Sequence, residues 1–355
     1  MTTPRPPIKV AVLGATGAVG QTFVRLLDGH PWFELAEVAA SERSAGRRYA
    51  DVTRWIEGDM PAAVAGLTVK PCDPLSVSSP IVFSALDSNV AGEVEAAFAA
   101  AGRLVLSNAK NYRMEPDVPL VIPEVNADHL ALLDLQRTRR GWAGGIVTNA
   151  NCAATMAAVS LAPLHAAFGA RRVFVATLQA VSGAGYPGVP SLDILGNVIP
   201  YIGDEEPKLE REMQKMLGIV GAAGITDAPF VVSAHANRVA VENGHTVCLS
   251  VEFEREPSLE DAARTLREWT GAPAVRGLPS APEEPLHFFT NDDRPQPRRD
   301  AMRGRGMTVS VGRLRRDPLF HLKFVAMGHN TIRGAAGGSI LNAELLVATG
   351  RAGVA

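Results

Sequence analysis

The feature that most constrains this chain is at its start. The largely apolar run Ile8-Lys9-Val10-Ala11-Val12-Leu13 leads directly into Gly14-Ala15-Thr16-Gly17-Ala18-Val19-Gly20. The run reads as a buried strand and residues 18–27 as a helix, so the glycines occupy a strand-to-helix turn. In that setting glycines let backbone N–H groups approach a pyrophosphate at a helix N-terminus. The spacing G-x-x-G-x-x-G is a variant of the dinucleotide fingerprint; a plain tight turn is the bland alternative, and the flanking elements favour the phosphate-binding reading.

The rest of the first half repeats that rhythm. Apolar runs at 35–40, 81–86, 104–106, 120–122 and 145–148 alternate with helical patterns, among them 89–101, capped by Ser88 or Asn89. Such alternation predicts a doubly wound α/β domain on a mainly parallel sheet. Beyond about residue 155 the pattern turns to longer β-alternating stretches, clearest at 172–181 and 239–253, as in an α+β domain on a largely antiparallel sheet. Residues 280–305, rich in Pro, Asp and Arg, read as a surface excursion between a helix at 259–269 and a strand at 307–314. A small-residue helix at 332–348, with Gly334, Gly337 and Gly338 at its start, suits close packing on a flat surface.

Charge and composition remove several function classes. With 35 basic and 37 acidic residues among 355, the net charge of −2 provides no global field for nucleic acid or an anionic membrane. No run approaches the roughly 20 apolar residues of a membrane span, and the N-terminus passes from prolines into a strand without a signal-peptide core, so a cytoplasmic location is expected. Cys72, Cys152 and Cys248 are too few and too scattered for a disulfide framework or a zinc site, and each is weighed as a reactive thiol.

Cys152 follows a strand and precedes an apolar helical run, which places its sulfur at a helix N-terminus where the macrodipole favours thiolate; an inert buried cysteine is the competing reading. His245 is the best candidate base. It shares one face of the 239–253 strand with Val247, Leu249, Val251 and Phe253, whereas Cys248 points to the other face. A satisfied core histidine would look the same. Cys72, in a Pro-Cys-Asp-Pro turn, has no identifiable partner. After the second strand come Ser41-Glu42-Arg43-Ser44, where hydroxyls and an arginine suit a ribose 2′-phosphate, and hence NADP, better than a bare ribose; Glu42 argues for NAD.

Together these residues resemble the aspartate-β-semialdehyde dehydrogenase family, in its archaeal and fungal branch. The likeness is carried by Gly14 to Gly20 with Gln21, Ser107-Asn108-Ala109-Lys110-Asn111-Tyr112-Arg113, Asn151-Cys152, Ser182-Gly183-Ala184-Gly185-Tyr186-Pro187-Gly188, Asn237-Arg238, Gly244-His245 and Arg333-Gly334-Ala335-Ala336. It implies an NADP-binding domain over 1–151, a catalytic and dimerisation domain over 152–328, and a C-terminal helix within 329–355 that returns to the first domain. It further implies NADPH-dependent reductive dephosphorylation of L-aspartyl-4-phosphate to aspartate semialdehyde, in the synthesis of lysine, threonine and methionine, by a homodimer or homotetramer.

The resemblance also implies roles. Cys152 matches the nucleophile, His245 the general acid/base and Gln179 the amide that orients the acyl group. Arg238 matches the residue gripping the substrate α-carboxylate and Glu205 the acid meeting its amino group, with Glu206 adjacent and equally acidic. Arg113, Lys208 and Asn151 match the phosphate-binding groups. The cofactor set is Gly14, Thr16, Gly17, Ala18, Val19, Ser41, Arg43, Ser44, Ser84, Ser182, Gly183 and Asn330. Ala153-Ala154-Thr155 departs from relatives that carry further hydroxyls after the nucleophile. Two alternatives stay open: a reductase of CoA thioesters such as malonyl-CoA, using the same cysteine chemistry, and an inert dinucleotide-binding sensor.

Overall fold

The computed structural model describes residues 6–353. Pro4, the first of the prolines in the signal-peptide argument, and the last two residues of the C-terminal segment lie outside the described residues.

Two sheets organise the chain. The first comprises β1 (Ile8–Leu13), β2 (Phe33–Ala40), β3 (Lys70–Pro71), β4 (Ile81–Ser84), β5 (Leu104–Ser107), β6 (Leu120–Val121) and β7 (Gly145–Asn149), in the order β3-β2-β1-β4-β5-β7-β6. Every pairing in it is parallel, as the βαβ rhythm predicts. Its strands are apolar on both faces because both are covered. Phe98 and Ala99 of the helix Ser88–Ala100 pack on one side, and Ile340, Leu341 and Leu345 of the helix Gly337–Ala348 on the other.

The second sheet holds β8 (Ala170–Gln179), then, after a hairpin of β9 (Ile219–Gly221) and β10 (Gly224–Thr226), β11 (Val231–Arg238), β12 (His245–Phe253), β13 (Leu286–Phe288), β14 (Val309–Arg316) and β15 (Leu322–Gly328). Its order is β11-β8-β12-β15-β14-β13, and it is mixed: β11 runs parallel to β8 and β13 to β14. The helices Cys152–Phe168, Glu205–Met216 and Leu259–Glu268 cover one face. The other carries exposed Leu178 and Val231.

Three readings need correction. The strand expected over 239–253 starts only at His245, because β11 ends at Arg238 and the chain turns between them; β11 itself lies outside the expected strands. The excursion at 280–305 is not purely surface, since Leu286–Phe288 forms the edge strand β13 and Asp300 is buried. The C-terminal helix begins as a π-turn over Ile332–Ala336 before the α-helix Gly337–Ala348.

Candidate active site

The glycine turn has the geometry a phosphate cradle needs. Gly14 has φ +70°, and a Cβ on Gly20 would lie 2.2 Å from the Gly14 carbonyl oxygen, so neither position accepts a side chain. The helix Ala18–Leu27 has Gly17 at its N-cap and no side-chain cap, which leaves its first N–H groups free for an anion. A groove of about 690 Å³ runs past the turn, lined by Gly14, Thr16, Gly17, Ala18, Val19, Ser41, Glu42 and Arg43. Ala85, Leu86, Asp87 and Cys72, not foreseen from the sequence, complete its wall. Ser44 is outside this lining, and Ser84 is fully buried beside Glu95.

Val19, Leu86, Asp87 and Gly185 also line a cleft of about 390 Å³ that continues from the groove. Its lining includes Arg113, Asn151, Cys152, Ser182, Gly183, Glu205, Lys208 and Asn330. Strand register explains much of this convergence. Gln179 and Arg238 are paired at the carboxyl ends of the parallel β8 and β11, and His245 opens the antiparallel β12 beside Leu178 and Gln179. Asn151-Cys152 follows directly from the carboxyl end of β7, the edge where open parallel sheets bind ligands.

Cys152 is the first residue of the helix Cys152–Phe168, whose N-cap Asn151 accepts from the N–H groups of Ala153 and Ala154 through Oδ1, both at 3.0 Å. That capping fixes the amide orientation, so Nδ2 faces the Glu205 oxygens at 3.0 and 2.9 Å. The thiolate expected from the macrodipole is not what the free site holds. Burial pushes the Cys152 thiol up to about 12, with Glu205 adding to the rise, while Arg113, the Ala153 N–H and Arg238 pull the other way. Desolvation outweighs the helix terminus.

His245 is fully buried. Its Nδ1 accepts from the Ala180 N–H at 3.1 Å, and its Nε2 has no protein partner. Burial, then the Arg238 cation, push this imidazole down to about 3, although Glu205 opposes them. A neutral ring that accepts at Nδ1 carries its proton on Nε2. That nitrogen shares a spot with Arg238: a Cβ on Gly183 would lie 3.0 Å from Arg238 Nη1 and 3.1 Å from His245 Nε2. Arg238 is anchored by donating to the Ala180 carbonyl at 2.8 Å.

Glu205 is the hub of the acidic side. It accepts from Asn151 Nδ2, from Gln179 Nε2 at 3.1 Å and from Lys208 Nζ at 2.9 Å. Burial pushes its carboxyl up, but the Lys208 charge and these hydrogen bonds outweigh burial and hold it below the usual carboxylate range. Glu206 instead accepts from the Ala236 N–H of the edge strand β11, away from this cluster. Asn330 joins two site segments, accepting from the Gly244 N–H at 2.9 Å and donating to Ser182 Oγ at 2.8 Å. At the rim, Lys110 pairs with Asp204 at 2.6 Å. Among the described residues no cluster of His, Cys, Asp and Glu has metal-site geometry.

One cleft therefore brings together a thiol at a helix N-terminus, a carboxylate and the donors of Arg113, Lys208 and Asn151, at the end of a groove suited to a dinucleotide, while the His245 imidazole and the Arg238 cation lie buried beside Gly183 of its wall. Such a set can hold a doubly anionic acyl substrate against sulfur and support charge developing on its carbonyl oxygen.

Comparison with known proteins agrees with this geometry. Residues 9–133 match the family "Semialdehyde dehydrogenase, NAD binding domain", and residues 161–333 match "Semialdehyde dehydrogenase, dimerisation domain". An aspartate-semialdehyde dehydrogenase of Archaeoglobus fulgidus is 50% identical over 95% of this chain and 97% of its own length. One from Schizosaccharomyces pombe is 47% identical over 96% and 98%. The crystal structure of aspartate semialdehyde dehydrogenase with NADP from Candida albicans superposes with a TM-score of 0.89 at 43% identity, covering 97% of this chain and 99% of that one.

Proposed function

The chain belongs to the aspartate-semialdehyde dehydrogenase family, and from that membership we propose its reaction: NADPH-dependent reductive dephosphorylation of L-aspartyl-4-phosphate to L-aspartate 4-semialdehyde, in amino-acid biosynthesis. The observation that carries this reading is the placement of Cys152 in one cleft with Arg113, Lys208 and Glu205, at the inner end of the glycine-turn groove. NADP is the cofactor. The bare Gly14 turn, the uncapped helix start and the Ser41 and Arg43 wall fit its phosphates, and when bound it supplies the hydride.

The cations divide the substrate between them. Arg113 and Lys208 take the phosphate end, Arg238 takes the α-carboxylate in a planar grip, and Glu205 takes the α-amino group. The carbonyl carbon is thereby held near Cys152 sulfur, where orientation replaces encounter. Attack by sulfur forms a thioester and expels phosphate. The thiol proton passes in this step to an oxygen of the departing phosphate, since the thiol is neutral beforehand. His245 Nε2–H donates to the carbonyl oxygen as negative charge gathers there. Gln179, whose Nε2 is held by Glu205, orients the acyl group.

Residues 1–151 are assigned to the cofactor domain, 152–328 to the catalytic domain and 329–355 to the returning segment, supported by the break between the two sheets. Exposed Leu178 and Val231 on the outer sheet face, together with exposed Leu192, Leu195 and Tyr201 elsewhere on the surface, support self-association, as a homodimer or a pair of homodimers. Among the described residues no helix is long and apolar enough to cross a membrane, and a cytoplasmic setting suits the reaction. A CoA-thioester reductase and an inert sensor are less favoured, because the curated relatives carry the semialdehyde dehydrogenase name along the full chain.

The test is direct. Purified protein given aspartate semialdehyde, phosphate and NADP⁺ should generate the absorbance of reduced nicotinamide. No signal there, together with turnover of malonyl-CoA and NADPH, would replace this reading.

A further inference from the structure

The helix Glu205–Met216 sends a second acid towards the site that its sequence does not single out. Glu212 follows Glu205 by two helical turns and leaves from the same face. Its side chain is 2% exposed, and both oxygens are committed: Oε1 accepts from Arg113 Nη1 at 3.0 Å and Oε2 from the Asn151 N–H at 2.7 Å. Arg113 Nη2 donates to the Asn108 carbonyl at 2.8 Å, so acceptors on two sides set the plane of the guanidinium. From the next turn of the same helix, Lys215 Nζ donates to the carbonyls of Arg113, Glu115 and Val118 at 2.6, 2.7 and 2.9 Å, which holds the backbone bearing that guanidinium.

We propose that Glu212 is the positioning residue of the phosphate pocket: by gripping Arg113 and the Asn151 backbone at once, it fixes the guanidinium relative to the helix start that carries Cys152. The proposal rests on the reaction assigned above, in which Arg113 meets phosphate. A carboxylate beside Arg113 weakens the positive field felt by an incoming anion, so this arrangement makes little sense as simple attraction. It makes sense as orientation. A guanidinium held at both terminal nitrogens offers its remaining N–H groups in one plane, whereas a free one binds phosphate in many poses. Because the same carboxylate ties down Asn151, the leaving group and the attacking sulfur are placed by one residue.

The experiment measures initial rates with aspartate semialdehyde, phosphate and NADP⁺ for the wild type, Glu212→Gln, Arg113→Ala and the double variant. Turnover by the wild type tests the reaction itself, and its absence would remove that reading and this one with it. With turnover present, Glu212→Gln should raise the KM for phosphate roughly ten- to a hundredfold, the range of a lost charged hydrogen bond, while the KM values for aspartate semialdehyde and NADP⁺ move less than about twofold. In the Arg113→Ala background the same change should add nothing to the phosphate KM. An unchanged phosphate KM, an equal rise in all three KM values, or additive effects would each overturn the proposal. If Glu212→Gln does not fold, Glu212→Asp is read by the same criteria. Should neither fold, Glu212 is a support of the fold first and the proposal fails.

Discussion

Gly334 passes directly over Cys152: a Cβ built on Gly334 would lie 2.5 Å from Cys152 Cβ and 2.8 Å from its Cα. The π-turn over Ile332–Ala336 is what lays this bare backbone on the nucleophile. Gly334→Ala should therefore displace the helix start that carries the sulfur. Initial rates should show kcat reduced by about a hundredfold, the cost of a roughly 1 Å misplacement, while NADP⁺ binding measured by calorimetry persists. Undiminished kcat would mean that the turn yields instead.

Cys152→Ala should abolish turnover and leave NADP⁺ affinity intact, because the glycine turn and the thiol belong to different elements. Cys152→Ser should retain at most a trace, since a hydroxyl is a far weaker nucleophile than a thiol. Substantial activity in the alanine variant would remove the thioester route.

The inward proton of His245 sets an expectation for pH. With the ring pushed down to about 3, it stays neutral throughout the working range, so log kcat should show no limb from His245 between about pH 5 and pH 8, where an ordinary histidine titrates. Nitrogen NMR of ¹⁵N-histidine protein should find one ring held as the Nε2–H tautomer across that range. A ring titrating near neutrality and assigned to His245 by its loss in His245→Gln would contradict the Ala180 contact.

Glu95 gives a stability prediction of definite sign. Burial raises its carboxyl to about 7 in the folded protein, against the hydrogen bond from Ser107, the nearby Ser84 hydroxyl and the Arg113 charge. Below its unfolded value of 4.5 both states are protonated and its contribution is fully present; as pH rises through about 7 it is lost. The loss is of order 3 kcal/mol, at about 1.36 kcal/mol per pH unit. Glu95→Gln should flatten the fall in urea-unfolding free energy between about pH 5 and pH 8 and raise it at the alkaline end. An equal slope in both proteins would sink this assignment.

The ion pair between Arg333 and Glu124 is bidentate, 2.7 Å at both contacts, with side chains 1% and 2% exposed. Arg333→Met alone strands a buried carboxylate and should cost about 3–5 kcal/mol of unfolding free energy. Adding Glu124→Leu should recover most of that. Additive losses would show that each residue supports the fold through other contacts.

What the sequence made legible follows from contrast. β1 and the glycine turn are strongly patterned, so the strand, the turn and the helix after it read from residues alone. β11 did not, because Val231 to Arg238 buries Val232, Ala234, Ala236 and Arg238 and exposes Val231, Ser233 and His235, a weak alternation of small and polar residues. β13 is a strand of only three residues whose existence depends on its partner β14. Glu212 was hidden for a different reason. In the run Glu-Glu-Pro-Lys-Leu-Glu-Arg-Glu it looks like one more solvated acid, and only tertiary packing against Asn151 and Arg113 reveals its burial. The parity argument at His245 did find the buried face, but the loss of thiolate at Cys152 needed the depth of the cleft, which no local pattern encodes.

The Ala180 amide that occupies one nitrogen of His245 also dictates what an inhibitor must bring. The imidazole offers only a donor, buried beside Gly183 of the cleft wall, so a warhead aimed at Cys152 that reaches past Gly183 should turn a carbonyl, sulfonyl or similar lone pair towards the ring and keep hydroxyl and amine hydrogens away from it. Compounds that violate this polarity would leave two hydrogens facing each other beside a fully buried ring, a mismatch that added affinity elsewhere in the molecule would have to overcome.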